Sequence, residues 1–191
     1  DLNVSPDAIG LLKMDFLGLR NLSILEEATR VVKKIRGKEI NLQQIELTDK
    51  KVYDMISQGQ TTGIFQMESP GMRRLARSLR PSVFSDLTAM VALYRPGPMD
   101  LIDSFVQGKL NPGAIVYPHQ DLKPVLKDTY GILLYQEQCM QVANVMAGYS
   151  LGQADEVRRA IGKKKIEIMM AEKKKFDAGA KKLGYDQKTI D

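Results

Sequence analysis

Apolar residues recur at helical spacing along most of this chain, and nearly every such run closes on a glycine or a proline. From Leu22 to Ile35 they fall at 22, 24, 25, 28, 31, 32 and 35, with Lys33, Lys34 and Arg36 in the final turn and Gly37 as the stop. A 3.6-residue period gathers these side chains into one stripe on a helix and would scatter them over both faces of a strand. Thr48 is the expected N-cap of a second helix that buries Val52, Met55 and Ile56 and stops near Gly59. Ser69-Pro70 pairs a capping residue with proline at the first helical position, ahead of a helix over 71–79. Residues 84–94 read as a buried helix closed by Arg95-Pro96-Gly97-Pro98, a rigid bend that either aims Tyr94 and Arg95 or only turns the chain. Cys139, Val142, Ala143 and Met146 line a helix ending at Gly148, and the lone thiol reads as packing rather than chemistry. Ser150 then caps a helix that reaches Gly162, and a basic helix with Ile166, Met169, Met170 and Phe176 runs on to Gly184. Short strand-like runs lie within 9–19, 64–68 and 129–135. The fold expected is mainly α with a minor α+β component.

Charge is concentrated in one place. Between Arg158 and Lys182 ten Lys or Arg face three Asp or Glu, a net of +7, whereas the whole chain carries +5. Everything outside that segment therefore sums to −2, and the positive charge is a local field suited to a polyanion. Its core is Arg158-Arg159-Ala160-Ile161-Gly162-Lys163-Lys164-Lys165. Successive lysines on a helix point about 100° apart, so a turn at Gly162 is expected to bring Lys163 back beside the arginines. A second basic stripe, Arg73, Arg77 and Arg80, lies opposite Met72, Leu75 and Leu79; it is either a solvated face or one that meets DNA.

Two smaller groups carry possible chemistry. Lys13 and Asp15, two apart in an apolar run, share a face if the run is a strand; the pair is either a salt-bridged strand end or a carboxylate holding Mg²⁺. Tyr135, Gln136 and Gln138 stand where an apolar run meets a helix, and a ring with two amides can stack on and hydrogen-bond a base. One cysteine and one histidine, His119 in a polar connection, leave no transition-metal pattern, so any metal is expected on carboxylates. The absence of an 18-residue apolar run and of a signal-peptide pattern suggests a cytoplasmic protein, and an opening at Asp1-Leu2-Asn3 suggests an excised piece.

Five stretches, in order, carry a resemblance: G-L-L-K-M-D-F-L-G-L-R (10–20), T-T-G-I-F-Q-M-E-S-P-G-M (61–72), L-Y-R-P-G-P (93–98), T-Y-G-I-L-L-Y-Q-E-Q (129–138) and R-R-A-I-G-K-K-K (158–165). Together they resemble the C-family replicative polymerases, the alpha subunits of bacterial DNA polymerase III. The resemblance implies that residues 1–20 are the C-terminal edge of a palm of the polymerase beta type, a short β remnant, and that 21–191 form a helical fingers domain. It implies a DNA-directed DNA polymerase as the parent enzyme, with Mg²⁺, an incoming dNTP, a DNA primer-template and other replicase subunits as partners. Asp15 matches the family's third metal-binding aspartate and Lys13 its palm lysine, the two catalytic positions. Arg158 and Arg159 match the fingers arginines at the nucleotide phosphates, with Lys163, Tyr135, Gln136 and Gln138 beside them as candidate nucleotide contacts. Lys164, Lys165, Arg73, Arg77 and Arg95 are the candidate DNA contacts. The family's first two catalytic aspartates lie in a P-D-x-D-x-D-F stretch, and these 191 residues contain no D-x-D. The piece by itself is therefore expected not to polymerise. The alternative reading is a non-catalytic nucleic-acid-binding module, and a membrane-surface role for the 163–182 helix ranks below both.

Overall fold

The computed structural model describes residue 14, residues 16–163 and residues 166–190, which form helices and turns with no strand among the described residues. The chain divides into two compact units, Asp1–Glu46 and Leu47–Asp191. In the first, α1 (Arg20–Arg36) ends as its sequence requires. Gly37 adopts a left-handed φ of 63° and its N–H donates to the Lys33 carbonyl at 2.9 Å, while Lys33, Lys34 and Arg36 complement the C-terminal end of the dipole.

The second unit opens on α2 (Lys50–Ser57). Its cap is Asp49, whose carboxylate accepts from Lys51 N at 2.9 Å, and not Thr48. Ile56 is buried and Met55 half-buried as expected, but Tyr53 is buried and Val52 exposed, so Tyr53 takes the place expected for Val52. Tyr53 can be buried because its hydroxyl donates to the Leu47 carbonyl, which satisfies the polar end of the ring. Helix α3 (Pro70–Leu79) begins with Ser69 Oγ accepting from Met72 N at 3.2 Å and buries Met72, Leu75, Ala76 and Leu79. Against it pack α4 (Phe84–Leu93) and α5 (Ile102–Leu110), and Phe105 closes this core with Tyr130 in an edge contact at 4.9 Å.

The rest of the unit is built on α6 (Lys123–Leu126), α7 (Gln136–Ala147), α8 (Leu151–Lys163), α9 (Ile166–Lys182) and α10 (Gln187–Ile190). Leu122, Leu126 and Met146 form one apolar cluster, and Ala143, Ala147, Tyr149 and Ala154 form another, with Phe176 touching both. The Tyr149 hydroxyl, pushed up to about 12 by burial and the nearby Glu172 carboxylate, donates to the Glu172 carbonyl. Helices α7 and α9 meet closely at Gly179, where a Cβ would stand 2.4 Å from the Ala147 carbonyl oxygen and 3.1 Å from its Cβ. Backbone cannot yield as a side chain can. Gly179→Ala is therefore expected to lower the stability of this unit by about 1–3 kcal/mol, seen as a lower urea midpoint at unchanged slope.

The strand-like runs that fall on described residues are turns. At 64–68, Met67 N donates to Ile64 O and Gln66 sits at a φ of 63°, continuing the turn in which Ile64 N donates to Thr61 O. At 129–135, Tyr130 and Gly131 are both left-handed, and the amides of Leu134 and Tyr135 donate to a side chain rather than to a neighbouring strand. An apolar run becomes a strand only where a partner edge accepts its backbone groups, and here side chains do so. The run at 9–19, including the β remnant expected of a palm, lies largely outside the described residues.

Gly162 is not a turn. Helix α8 continues through it to Lys163, so the expected reversal at Gly162 that would carry Lys163 back to the arginines does not occur there. A glycine inside a helix costs only about 1 kcal/mol relative to alanine, which the surrounding α8 turns offset.

Candidate nucleotide and nucleic-acid interface

Helix α8 starts on a reciprocal cap: Gln153 N donates to Ser150 Oγ at 3.3 Å, and Ser150 N donates to Gln153 Oε1 at 2.9 Å. That cap sets the register of Asp155, Arg158 and Arg159. One carboxylate holds both cations. Arg158 donates from Nε to Asp155 Oδ1 at 2.8 Å and approaches the same oxygen with Nη2 at 2.7 Å; Arg159 Nε donates to Asp155 Oδ2 at 2.8 Å. The Arg158 hydrogen bond, followed by the charges of Arg158 and Arg159, holds the Asp155 carboxyl below its ordinary range. The Arg159 side chain keeps 67% of its exposure and Arg158 keeps 35%, so each retains donors facing solvent. Asp155 went unnoticed in the sequence, although D-x-x-R-R places it at i−3 and i−4 of the two arginines.

The Tyr135, Gln136 and Gln138 group divides. Gln136 is exposed at the start of α7. Tyr135 is half-buried, and burial, with Asp128 and Asp86 at a distance, pushes its hydroxyl pKa up. Gln138 is buried and fully occupied. Its Oε1 accepts from Leu134 N and Tyr135 N, both at 2.9 Å, while its Nε2 donates to Val125 O at 3.2 Å and Thr129 Oγ1 at 2.7 Å. With no free donor or acceptor and 5% exposure, it cannot read a base. Gln138 ties the 129–135 turn and α6 to α7.

The α3 arginines make a second cationic surface. Arg73 is half-buried, and its Nη2 donates to Thr62 Oγ1 at 3.0 Å, while its buried Nε has no hydrogen-bond partner. Arg77 is exposed and lies against Gly59, where a Cβ would come within 2.5 Å of its Nη1. Arg95 is exposed in the bend after α4, whose Gly97 has a φ of 101°. The bend also aims Tyr94: its hydroxyl rests where a Gly71 Cβ would be, 1.8 Å away, so α4's end is seated on α3's first turn. Among the described residues no hydrogen bond or ion pair joins the α3 arginines to the α8 pair.

Lys13, Asp15, Lys164 and Lys165 lie outside the described residues, as does the side chain of Lys163. Among the described residues no group of three His, Cys, Asp or Glu is arranged to hold a metal ion, so the Mg²⁺ expectation rests on Asp15 alone. No helix among them is long and apolar enough to cross a membrane.

Comparison with known sequences bears on this surface as a whole. Residues 21–184 match the family described as the bacterial DNA polymerase III alpha subunit finger domain. The chain is 50% identical over 181 residues to the DNA polymerase III subunit alpha of Halalkalibacterium halodurans, 95% of this chain and 16% of that protein. It is 49% identical over 181 residues to the proteins of the same name from Bacillus subtilis and Staphylococcus epidermidis, covering 95% of this chain and 16% and 17% of theirs. The chain thus spans about a sixth of the length of the curated relatives it matches.

Proposed function

This chain belongs to the finger-domain family of the bacterial DNA polymerase III alpha subunit, and from that premise we propose that its arginine pair grips the triphosphate of an incoming dNTP in a DNA-directed DNA polymerase. The observation that carries the reading is Asp155 holding two guanidinium groups together on one face of α8. A carboxylate that aligns two forks before the ligand arrives lowers the ordering cost of binding, and a more highly charged phosphate tail can take over donors from it. In this reading residues 1–20 are the palm edge and 21–191 the fingers of a cytoplasmic replicase. Lys13 serves the triphosphate or primer end, and Lys163 contributes positive charge toward the nucleotide phosphates. Gln136 and Tyr135 lie on the base side. Arg73, Arg77, Arg95, Lys164 and Lys165 track the primer-template, and the other replicase subunits dock on parts of the parent enzyme beyond this segment. Asp15 would hold Mg²⁺, which supplies charge neutralisation in phosphoryl transfer; the protein's own contribution is to position and clamp the nucleotide.

The test uses the complete subunit that carries this segment. Arg159→Ala is expected to raise the nucleotide KM or lower kcat, with kcat/KM down about 10- to 100-fold, the loss expected of a hydrogen bond to a charged group. Asp15→Ala is expected to abolish incorporation while primer-template binding persists. Wild-type incorporation by Asp15→Ala, or an unchanged kcat/KM in Arg159→Ala, overturns the reading. A module that only binds nucleic acid would show the salt dependence of phosphate contacts and no nucleotide selectivity.

A further inference from the structure

The turn at 59–68 is a braced platform, and what it presents is Phe65. Thr61 is fully buried and its Oγ1 donates to the Met67 carbonyl at 2.6 Å, closing the loop across its base, and Met67 is buried in the α3–α5 core. Inside that closure Gly63 and Gln66 both take positive φ, at 79° and 63°. Gln66 is not a glycine, so the loop holds a backbone conformation that costs free energy to maintain. The product is an aromatic ring with 47% of its surface in solvent. The loop is also edged by cations: Arg73 Nη2 is bonded to Thr62, and the guanidinium of Arg77 lies against Gly59. An exposed planar ring on a braced loop whose neighbouring residues Thr62 and Gly59 meet guanidinium groups has the composition of a surface for single-stranded nucleic acid, where bases stack and phosphates meet arginine.

We propose that Phe65 stacks on an unpaired base of single-stranded DNA, with Arg77 and Arg73 at the flanking phosphates. The proposal rests on the nucleic-acid reading above but concerns a different surface from the α8 arginines. The planar ring accepts any base, so the contact favours unpaired strand over duplex without selecting sequence. In the full subunit, anisotropy with a labelled oligo(dT) is expected to show about five- to hundredfold weaker binding for Phe65→Ala, with the salt slope unchanged. Phe65→Leu, apolar and of similar size but not planar, should lose comparably, and Phe65→Tyr should bind as wild type. A blunt duplex should bind Phe65→Ala and wild type alike. Unchanged oligo(dT) affinity in Phe65→Ala, retained affinity in Phe65→Leu, or an equal loss on blunt duplex overturns the proposal. Failure of the nucleotide-clamp reading shows elsewhere, in the kcat/KM of Arg159→Ala.

Discussion

Replacing Lys109 by Met is expected to destabilise the Leu47–Asp191 unit by about 3 kcal/mol, a fall in melting temperature of roughly 6–12 °C for a unit of this size. Lys109 and Asp86 form an ion pair whose side chains keep only 12% and 4% of their exposure. Asp86 Oδ2 also accepts from Ser82 N at 2.7 Å and Val83 N at 3.1 Å, so the same carboxylate starts α4. Removing the ammonium leaves a buried charge with neutral donors alone, the two amides and the Ser82 hydroxyl at 3.4 Å, and that deficit is what the measurement reads. The double variant Asp86→Asn with Lys109→Met should recover much of the loss, because the Asn oxygen still accepts from both amides and no charge is left unpaired. A double variant no more stable than Lys109→Met would show that lost packing of the lysine stem, rather than the unpaired charge, sets the effect.

That pair also marks the limit of what the sequence discloses. Asp86 and Lys109 are separated by 23 residues, and nothing in local spacing joins them. The features read correctly are those decided within one turn of helix: Ser69 with Pro70, Gly37, Gly148, and the Ser150 cap. Thr48 and Asp49 are adjacent and both can cap a helix; the chain uses Asp49, the stronger cap of the two, and Tyr53 joins Ile56 in the core where Val52 was expected. The apolar turns at 64–68 and 129–135 look like strands because the side chains that satisfy their backbone, Thr61 and Gln138, have no hydrophobic signature. On the functional side the arginine pair was visible as clustered charge. Asp155 lies just N-terminal to the basic segment 158–182 and so stands outside that cluster of charge, although its spacing makes it the pair's organiser.

Gln138→Glu is a small change in shape and is expected to be among the most damaging in the chain, about 2–4 kcal/mol at neutral pH. One carboxylate oxygen still accepts from the Leu134 and Tyr135 amides. The other replaces an N–H that donated to Val125 O and Thr129 Oγ1, and so sets an anion against a carbonyl oxygen in a buried site. Thr129 Oγ1 offers little relief, because its own proton is given to Ile132 O at 2.6 Å. Protonating the new carboxyl restores a donor and removes the charge, so its folded-state pKa must lie above the ordinary Glu value of about 4.3. The deficit therefore shrinks as pH falls toward that raised pKa and is fully present above it, whereas wild type has no such term at this position. Urea titrations of both proteins at pH 5 and pH 7.5 should show the gap between them narrowing at the lower pH. A Gln138 that read the nucleotide base would behave differently: the same substitution would leave stability untouched at both pH values and move only the nucleotide KM. The four bonds around this amide favour the first outcome, and they explain why a glutamine lies beside the exposed Gln136 without sharing its access to a ligand.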